Sequence, residues 1–353
     1  MAHSKVKLIA FYLPQFHPIK ENDRWWGKGF TDWIKVVRAQ PNFVGHYQPH
    51  LPADLGFYDL RLEDTRIAQA ELARHYGIHG FCYYHYWFNG KRLLERPFQE
   101  VLGSGKPDFP FCLCWANENW TRRWDGREEE ILMEQHCSVK DAKNFITTLF
   151  KAFEDPRYIR VHGRPLLLVY RVDIIPNLAE TVGLWRHECH RAGIGDLYLC
   201  FVESFGNMGK DPESIDFDAA VEFPPHNQAY QYEESLRMLN SGFLGEIFDY
   251  RKVASRLVNR SIPSHRLFRT VMPMWDNTPR KQDSAHIFHR SSPERYEWWL
   301  REVVHQTRVL REEEERLVFI NAWNEWGEGN HLEPDITHGH AFLKATLSAL
   351  KNA

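Results

Sequence analysis

The chain has 353 residues, 44 Lys plus Arg against 47 Asp plus Glu for a net charge of -3, and 14% aromatic residues with 13 Trp. That length exceeds the roughly 250 residues of a minimal (β/α)8 barrel and falls short of two. Balanced charge excludes the basic footprint of nucleic-acid binding, and no stretch approaches the ~20 apolar residues of a membrane span.

Short apolar runs recur along the chain, most of them followed by a helix-like segment. Residues 7–14 form the first expected strand. The run is short and carries Pro14 and Gln15 where a signal peptide would carry a cleavage site, so a cytoplasmic protein is expected. A long aromatic loop, 15–59, precedes a helix over 60–76 closed by Gly77. Strands are expected at 79–88, 109–118, 165–172, 197–203, 219–223, 270–275 and 317–323. Helices are expected at 92–101, 141–153, 178–192, 293–314 and 341–351. Eight continuous apolar runs alternating with helices read as parallel strands buried on both faces. The fold class expected is α/β, a (β/α)8 TIM barrel with long βα loops, forming one catalytic domain over 1–353.

The six cysteines, Cys82, Cys112, Cys114, Cys137, Cys189 and Cys200, show neither zinc nor disulfide spacing and read as buried reduced thiols. The acidic runs at 128–130 and 312–315 read as solvated faces. Asp216-Phe217-Asp218 is a D-x-D, the pattern by which many glycosyltransferases hold a metal, but it precedes a strand and so lies at the wrong edge of a barrel. No cofactor and no metal are expected.

In a barrel the chemistry gathers at the C-terminal ends of the strands. There the sequence places Tyr12, then Tyr84, His85 and Trp87, then Trp115, Asn117, Glu118 and Trp120. Glu203, Glu222 and Trp275 follow on later strands, and Trp26 lies in the first loop. The last strand ends Asn324-Glu325-Trp326-Gly327-Glu328-Gly329, with Glu333 close behind. Two carboxylates on one turn among Trp residues suit glycosidic bond cleavage, in which one carboxyl donates a proton while another stays ionised. Glu325 and Glu328 are the expected catalytic pair, the other residues named here are expected to bind substrate, and Glu118 and Glu222 are the alternatives for a direct catalytic role. An oligosaccharide or polysaccharide is the expected partner.

Several long motifs carry a family likeness. They are FYLPQFHP at 11–18, NDRWWGKGFTDW at 22–33, GHYQPH at 45–50, GFCYYHYWF at 80–88, CWANENW at 114–120, NEWGEG at 324–329 and LEP at 332–334. The chain resembles the WbsX-type proteins, many labelled glycosyltransferases and often encoded with polysaccharide biosynthesis genes. These are related to family 99 glycoside hydrolases, endo-acting α-mannosidases with a (β/α)8 fold. The resemblance implies that Glu325 deprotonates the sugar's own 2-hydroxyl, which attacks C1. It implies that Glu328 is the general acid and then base, with no metal. The long first loop, with Trp25, Trp26 and Trp33, follows the WbsX-type group, so the substrate of the mannosidases does not carry over. The expected function is a glycoside hydrolase or transglycosylase acting on bacterial surface polysaccharide, with a glycosyltransferase of polysaccharide biosynthesis and a non-catalytic carbohydrate-binding protein as the alternatives.

Overall fold

The computed structural model describes residues 6–122, 127–135, 138–226, 228 and 230–353. Cys137 lies outside the described residues, and so do the side chains of Glu128 and Glu129.

Eight parallel strands close into a barrel: β1 (Lys7–Tyr12), β2 (Ile78–Phe88), β3 (Phe111–Trp115), β4 (Arg164–Val169), β5 (Tyr198–Val202), β6 (Ala219–Val221), β7 (Leu267–Val271) and β8 (Leu317–Ile320). Each pairs with its neighbour in chain order, and β8 returns to β1 from Lys7 opposite Leu317 to Ala10 opposite Ile320. Every residue of β3, β5 and β7 is buried, as expected of parallel strands covered by helices outside and side chains inside. The expected (β/α)8 barrel is therefore the fold.

The first loop carries two short helices, α1 (Lys20–Trp26) and α2 (Trp33–Val36). The covering helices are α3 (Glu63–His75), α4 (Arg96–Ser104), α5 (Val139–Phe153), α6 (Leu178–Arg191) and α7 (Tyr250–Val258). After the one-turn α8 (Thr278–Lys281) come α9 (Pro293–Leu310) and α10 (Ala341–Asn352). In α5, Ser138 accepts a hydrogen bond from the Asp141 N–H, so the helix starts there. Its buried Ala142, Phe145, Ile146, Leu149 and Phe153 follow the helical repeat and form one stripe. Phe145 of that stripe stacks on Trp115 of β3 with ring centroids 4.3 Å apart.

Three sequence expectations need correction. The seventh strand begins at Leu267, earlier than the expected 270, because Arg269 makes the run look polar. Arg269 is nonetheless buried, and its Nε donates to Glu222 at 2.9 Å. The stretch 224–264, which reads as a second long loop, contains a strand, Glu246–Asp249, paired in parallel with His286–His289, and then α7. Glu315 is not part of a solvated face. It is buried, accepts a hydrogen bond from the Tyr198 hydroxyl at 3.0 Å and pairs with Arg266 at 3.2 Å.

Candidate active site

Alternation along each strand decides which side chains reach the barrel top. Phe11 points inward and stacks on Tyr84 at 5.6 Å. Tyr12, one residue on, donates its hydroxyl to Gln69 of α3 at 2.7 Å. On β2, Tyr84 and Tyr86 line the central cavity, while His85 packs against Phe145 and Trp87 donates to Asp141 at 2.9 Å. Trp115 likewise faces the α5 layer. Tyr12, His85, Trp87 and Trp115 therefore lie between strands and helices, away from the cavity.

That cavity, of about 680 Å³, sits on the C-terminal face and takes lining residues from the end of β2 and from beyond the other seven strands. Its size falls within the usual range for small-molecule sites. Of the residues picked out by sequence, Trp26, Tyr84, Glu118, Trp120, Trp275, Glu325 and Glu328 line it. So do Tyr86, Tyr170, His226 and Arg280, which the sequence reading did not pick out.

Arg280 is the centre of the charge arrangement. Its Nη1 donates to Glu328 Oε1 at 2.8 Å, and its Nη2 donates to Glu325 Oε2 at 2.9 Å and to Asp32 Oδ2 at 2.7 Å. Asp32 is completely buried, the Glu325 side chain is 7% exposed and that of Glu328 is 24% exposed. Burial pushes the Glu325 carboxyl up to about 8, Arg280 opposes this, and the Glu328 and Asp32 charges add to it. Burial works against the Arg280 charge, but the three carboxylates outweigh it and hold its pKa above the ordinary value. Gly327 leaves room for this arrangement, since a Cβ there would lie 2.6 Å from Arg280 Nε and 2.8 Å from Asp32 Oδ2.

Two buried hubs hold the loop that carries the pair. Asn324 clamps the end of β8 to the end of β1: its Oδ1 accepts from the Leu13 N–H at 2.7 Å and its Nδ2 donates to the Leu13 carbonyl at 3.0 Å. Asp276 is the second hub. It accepts from His46 Nε2 at 2.5 Å, from Gln48 at 2.6 Å and from the Thr278 N–H at 2.9 Å, while its own N–H donates to the Glu328 carbonyl at 2.7 Å. Thr278 opens α8, with Pro279 in its first turn, so one residue fixes the first loop and the helix bearing Arg280 through its carboxylate and the backbone of Glu328 through its N–H.

Trp326 and Glu333 support the loop from beneath and do not line the cavity. Glu333 accepts from Trp326 Nε1 at 2.7 Å, from the Tyr58 hydroxyl at 2.7 Å and from Gln69 at 2.6 Å, and burial lifts its carboxyl to about 7. Trp326 stacks on His331 with centroids 3.7 Å apart. His331 Nδ1 donates to the Glu333 carbonyl at 2.9 Å, which leaves its Nε2 to accept from His50 Nδ1 at 2.9 Å. Both imidazoles are neutral, and burial holds them at about 3 and about 4.

This burial predicts acid lability. His17, His50, His85 and His331 all titrate at about 3 to 4 in the fold against 6.5 in a free chain. Below about pH 6.5 the unfolded chain binds protons that the folded chain refuses, so stability falls as pH drops toward about 4. Glu325 and Glu333 act in the opposite sense, since their raised pKa values cost stability as pH rises from about 4.5 to about 8. The histidines outnumber them. The melting temperature is expected to peak near neutral pH and to fall steadily from about pH 6.5 to about pH 4.5; a rise over that interval would count against the buried neutral imidazoles.

Asn117 is buried and holds the β4 end, donating to the Arg171 carbonyl at 2.7 Å and accepting from its N–H at 2.8 Å. Arg171 in turn pairs at 3.0 Å with Glu118, which lines the cavity. Glu203 and Glu222 do not line the cavity. They share Arg260, at 3.0 and 2.6 Å, and Arg269 and Arg260 together hold Glu222 below the usual carboxylate range despite its burial. Asp218 of the D-x-D precedes β6 and pairs with Arg164 at 2.7 Å. Among the described residues, His162, Glu312 and Glu315 are the only group with metal-ligand spacing, and there Glu315 is already held by Arg266 and Tyr198.

Fold and cavity together define a (β/α)8 barrel that gathers carboxylates and aromatic rings on its C-terminal face. A family model described as "Glycosyltransferase WbsX" matches residues 8–346, and the chain belongs to that family. Two curated sequences from strains of Xanthomonas campestris pv. campestris, both described as "Uncharacterized protein WxcX", are 48% identical to it over 347 residues. The match covers 98% of this chain and 50% of each relative, so the chain spans about half the length of the curated relatives it matches. A solved "Glycoside hydrolase-like protein" aligns with a TM-score of 0.61 at 16% identity, covering 100% of this chain and 96% of that one. The GH99 endo-alpha-mannosidase from Bacteroides thetaiotaomicron aligns with a TM-score of 0.56 at 12% identity, covering 98% and 96%. At such identities the likeness establishes the shared barrel.

Proposed function

We propose that the chain cleaves glycosidic bonds with retention, as a hydrolase or transglycosylase, in a bacterial surface polysaccharide or its lipid-linked precursor. The observation that carries this reading is the pair Glu325 and Glu328, three residues apart in an aromatic cavity and bridged by one arginine. Glu325 is the base. A sugar hydroxyl is a weak acid, and a carboxylate that burial makes more basic is better able to take its proton. As the 2-hydroxyl loses its proton to Glu325, its oxygen bonds to C1 and the C1–oxygen bond to the leaving sugar breaks. Glu328, the more exposed of the two, gives its proton to the leaving oxygen and later takes one from the incoming water or acceptor. Trp26, Trp120 and Trp275 offer ring faces for sugars, and Glu118, held by Arg171, offers hydroxyl contacts. No helix among the described residues is long and apolar enough to cross a membrane.

The family's description supplies a second reading, a glycosyltransferase using a nucleotide sugar. It would give Asp216 and Asp218 a metal, yet Asp218 is engaged by Arg164 and Arg186 before β6, at the opposite end of the barrel. Wild type and Glu328→Gln should be incubated with capsular or O-antigen oligosaccharides, and separately with nucleotide sugars and Mn²⁺. New reducing ends from wild type alone are expected. Consumption of a nucleotide sugar without any glycan cleavage would replace this reading with the second.

A further inference from the structure

Arg280 is joined to three carboxylates from two distant parts of the chain. Asp32 comes from the start of α2, and Glu325 and Glu328 come from the loop after β8. Tyr86 of β2 also faces this group, and Tyr84 faces the two glutamates. Buried carboxylates this close cannot all stay ionised without a cation. If Arg280 were absent, burial and the Glu328 and Asp32 charges would all act to keep the proton on Glu325, with the opposing guanidinium gone. A base that never loses its proton does no work.

We propose that Arg280 is a positioning residue that keeps Glu325 able to release and regain its proton, with Asp32 as the opposing charge that stops Arg280 from making Glu325 an ordinary, weakly basic carboxylate. This rests on Glu325 being the base of the proposed reaction. The geometry supports a balance of two opposed charges, because a single nitrogen, Nη2, is shared between Asp32 at 2.7 Å and Glu325 at 2.9 Å. Removing Asp32 takes away the carboxylate that competes with Glu325 for that nitrogen. Removing Arg280 leaves Glu325 facing Asp32 and Glu328 without compensation. The two substitutions should therefore act in opposite directions, which general damage to the fold would not do.

The test follows the Glu325 carboxyl carbon by NMR in glutamate-labelled protein, with its resonance assigned by its loss in Glu325→Gln. Arg280→Gln should move the Glu325 midpoint up from about 8 by about one pH unit or more, and Asp32→Asn should move it down by a similar amount. Arg280→Lys keeps the charge but cannot span all three carboxylates, so it should give a smaller upward shift and covers the case in which Arg280→Gln does not fold. On a cleaved glycan, the rise of kcat/KM with pH should move with the NMR midpoint in each variant. Shifts of the same sign in Arg280→Gln and Asp32→Asn, or no shift in either, would overturn the proposal. If wild type cleaves no glycan, the functional reading fails on that ground, while the titration still decides what Arg280 does to Glu325.

Discussion

Glu328→Gln is expected to lower kcat/KM on a natural glycan by about 10²–10⁴-fold, the usual contribution of a positioned acid or base. Gln keeps the size of Glu and an oxygen for Arg280 Nη1, so the cavity should persist. An aryl glycoside with a good leaving group separates the two roles. Its leaving oxygen needs no proton, so Glu328→Gln should recover the first step on that substrate. Glu325→Gln should not recover, because the 2-hydroxyl still needs its base. Glu325→Gln carries a second signature. The folded-state pKa of Glu325, about 8, lies above its ordinary 4.5. The carboxyl therefore costs stability that grows as pH rises through that window, and an uncharged Gln removes the cost. Glu325→Gln should melt higher than wild type, by a margin wider at pH 8 than at pH 5. Recovery of both variants on the aryl glycoside, or of neither, would reject the assignment of roles. A melting difference that does not change with pH would reject a buried carboxyl under strain.

The barrel was legible because burial on both faces leaves a direct mark, eight apolar runs with helices between them. The position of the Glu325–Glu328 pair was legible for the same reason, since it directly follows the last run. Much of the cavity wall was not. His85, Trp87, Trp115 and Tyr12 stand beside the residues that line the cavity, one step out of register on their strands. The two-residue repeat carried the needed signal, because Phe11, Tyr84 and Tyr86 are set by the same parity that turns Tyr12, His85 and Trp87 outward. Arg280 was harder. It meets Asp32 across 248 positions of sequence, and nothing local in either segment announces the other. One clue was available: Asp276-Asn277-Thr278-Pro279 is a helix start at a strand end, and it places a cation one turn further on. Arg269 misled in the other direction, since a charge inside an apolar strand reads as loop until its partner Glu222 is seen.

Gly329→Ala should be among the most damaging single substitutions in the molecule, for two separable reasons. Gly329 has φ +54, a left-handed backbone that side chains disfavour. A Cβ there would also lie 2.7 Å from the Asp276 carbonyl oxygen and 3.2 Å from its nitrogen, backbone atoms that cannot swing away. Gly193, at the end of α6, has φ +78 and nothing within 4 Å, so Gly193→Ala measures the backbone part alone. That control should cost about 1 kcal/mol, and Gly329→Ala about 3 kcal/mol or more. The excess has a functional consequence as well. Relief of the contact must move Asp276 away from the loop, and Asp276 holds the Glu328 backbone, His46 and the start of the helix bearing Arg280. Gly329→Ala should therefore lose kcat even under conditions in which it is fully folded, whereas Gly193→Ala should not. Denaturant titrations and steady-state kinetics on both variants check this, and equal losses of stability in the two would show that the loop gives way without disturbing Asp276.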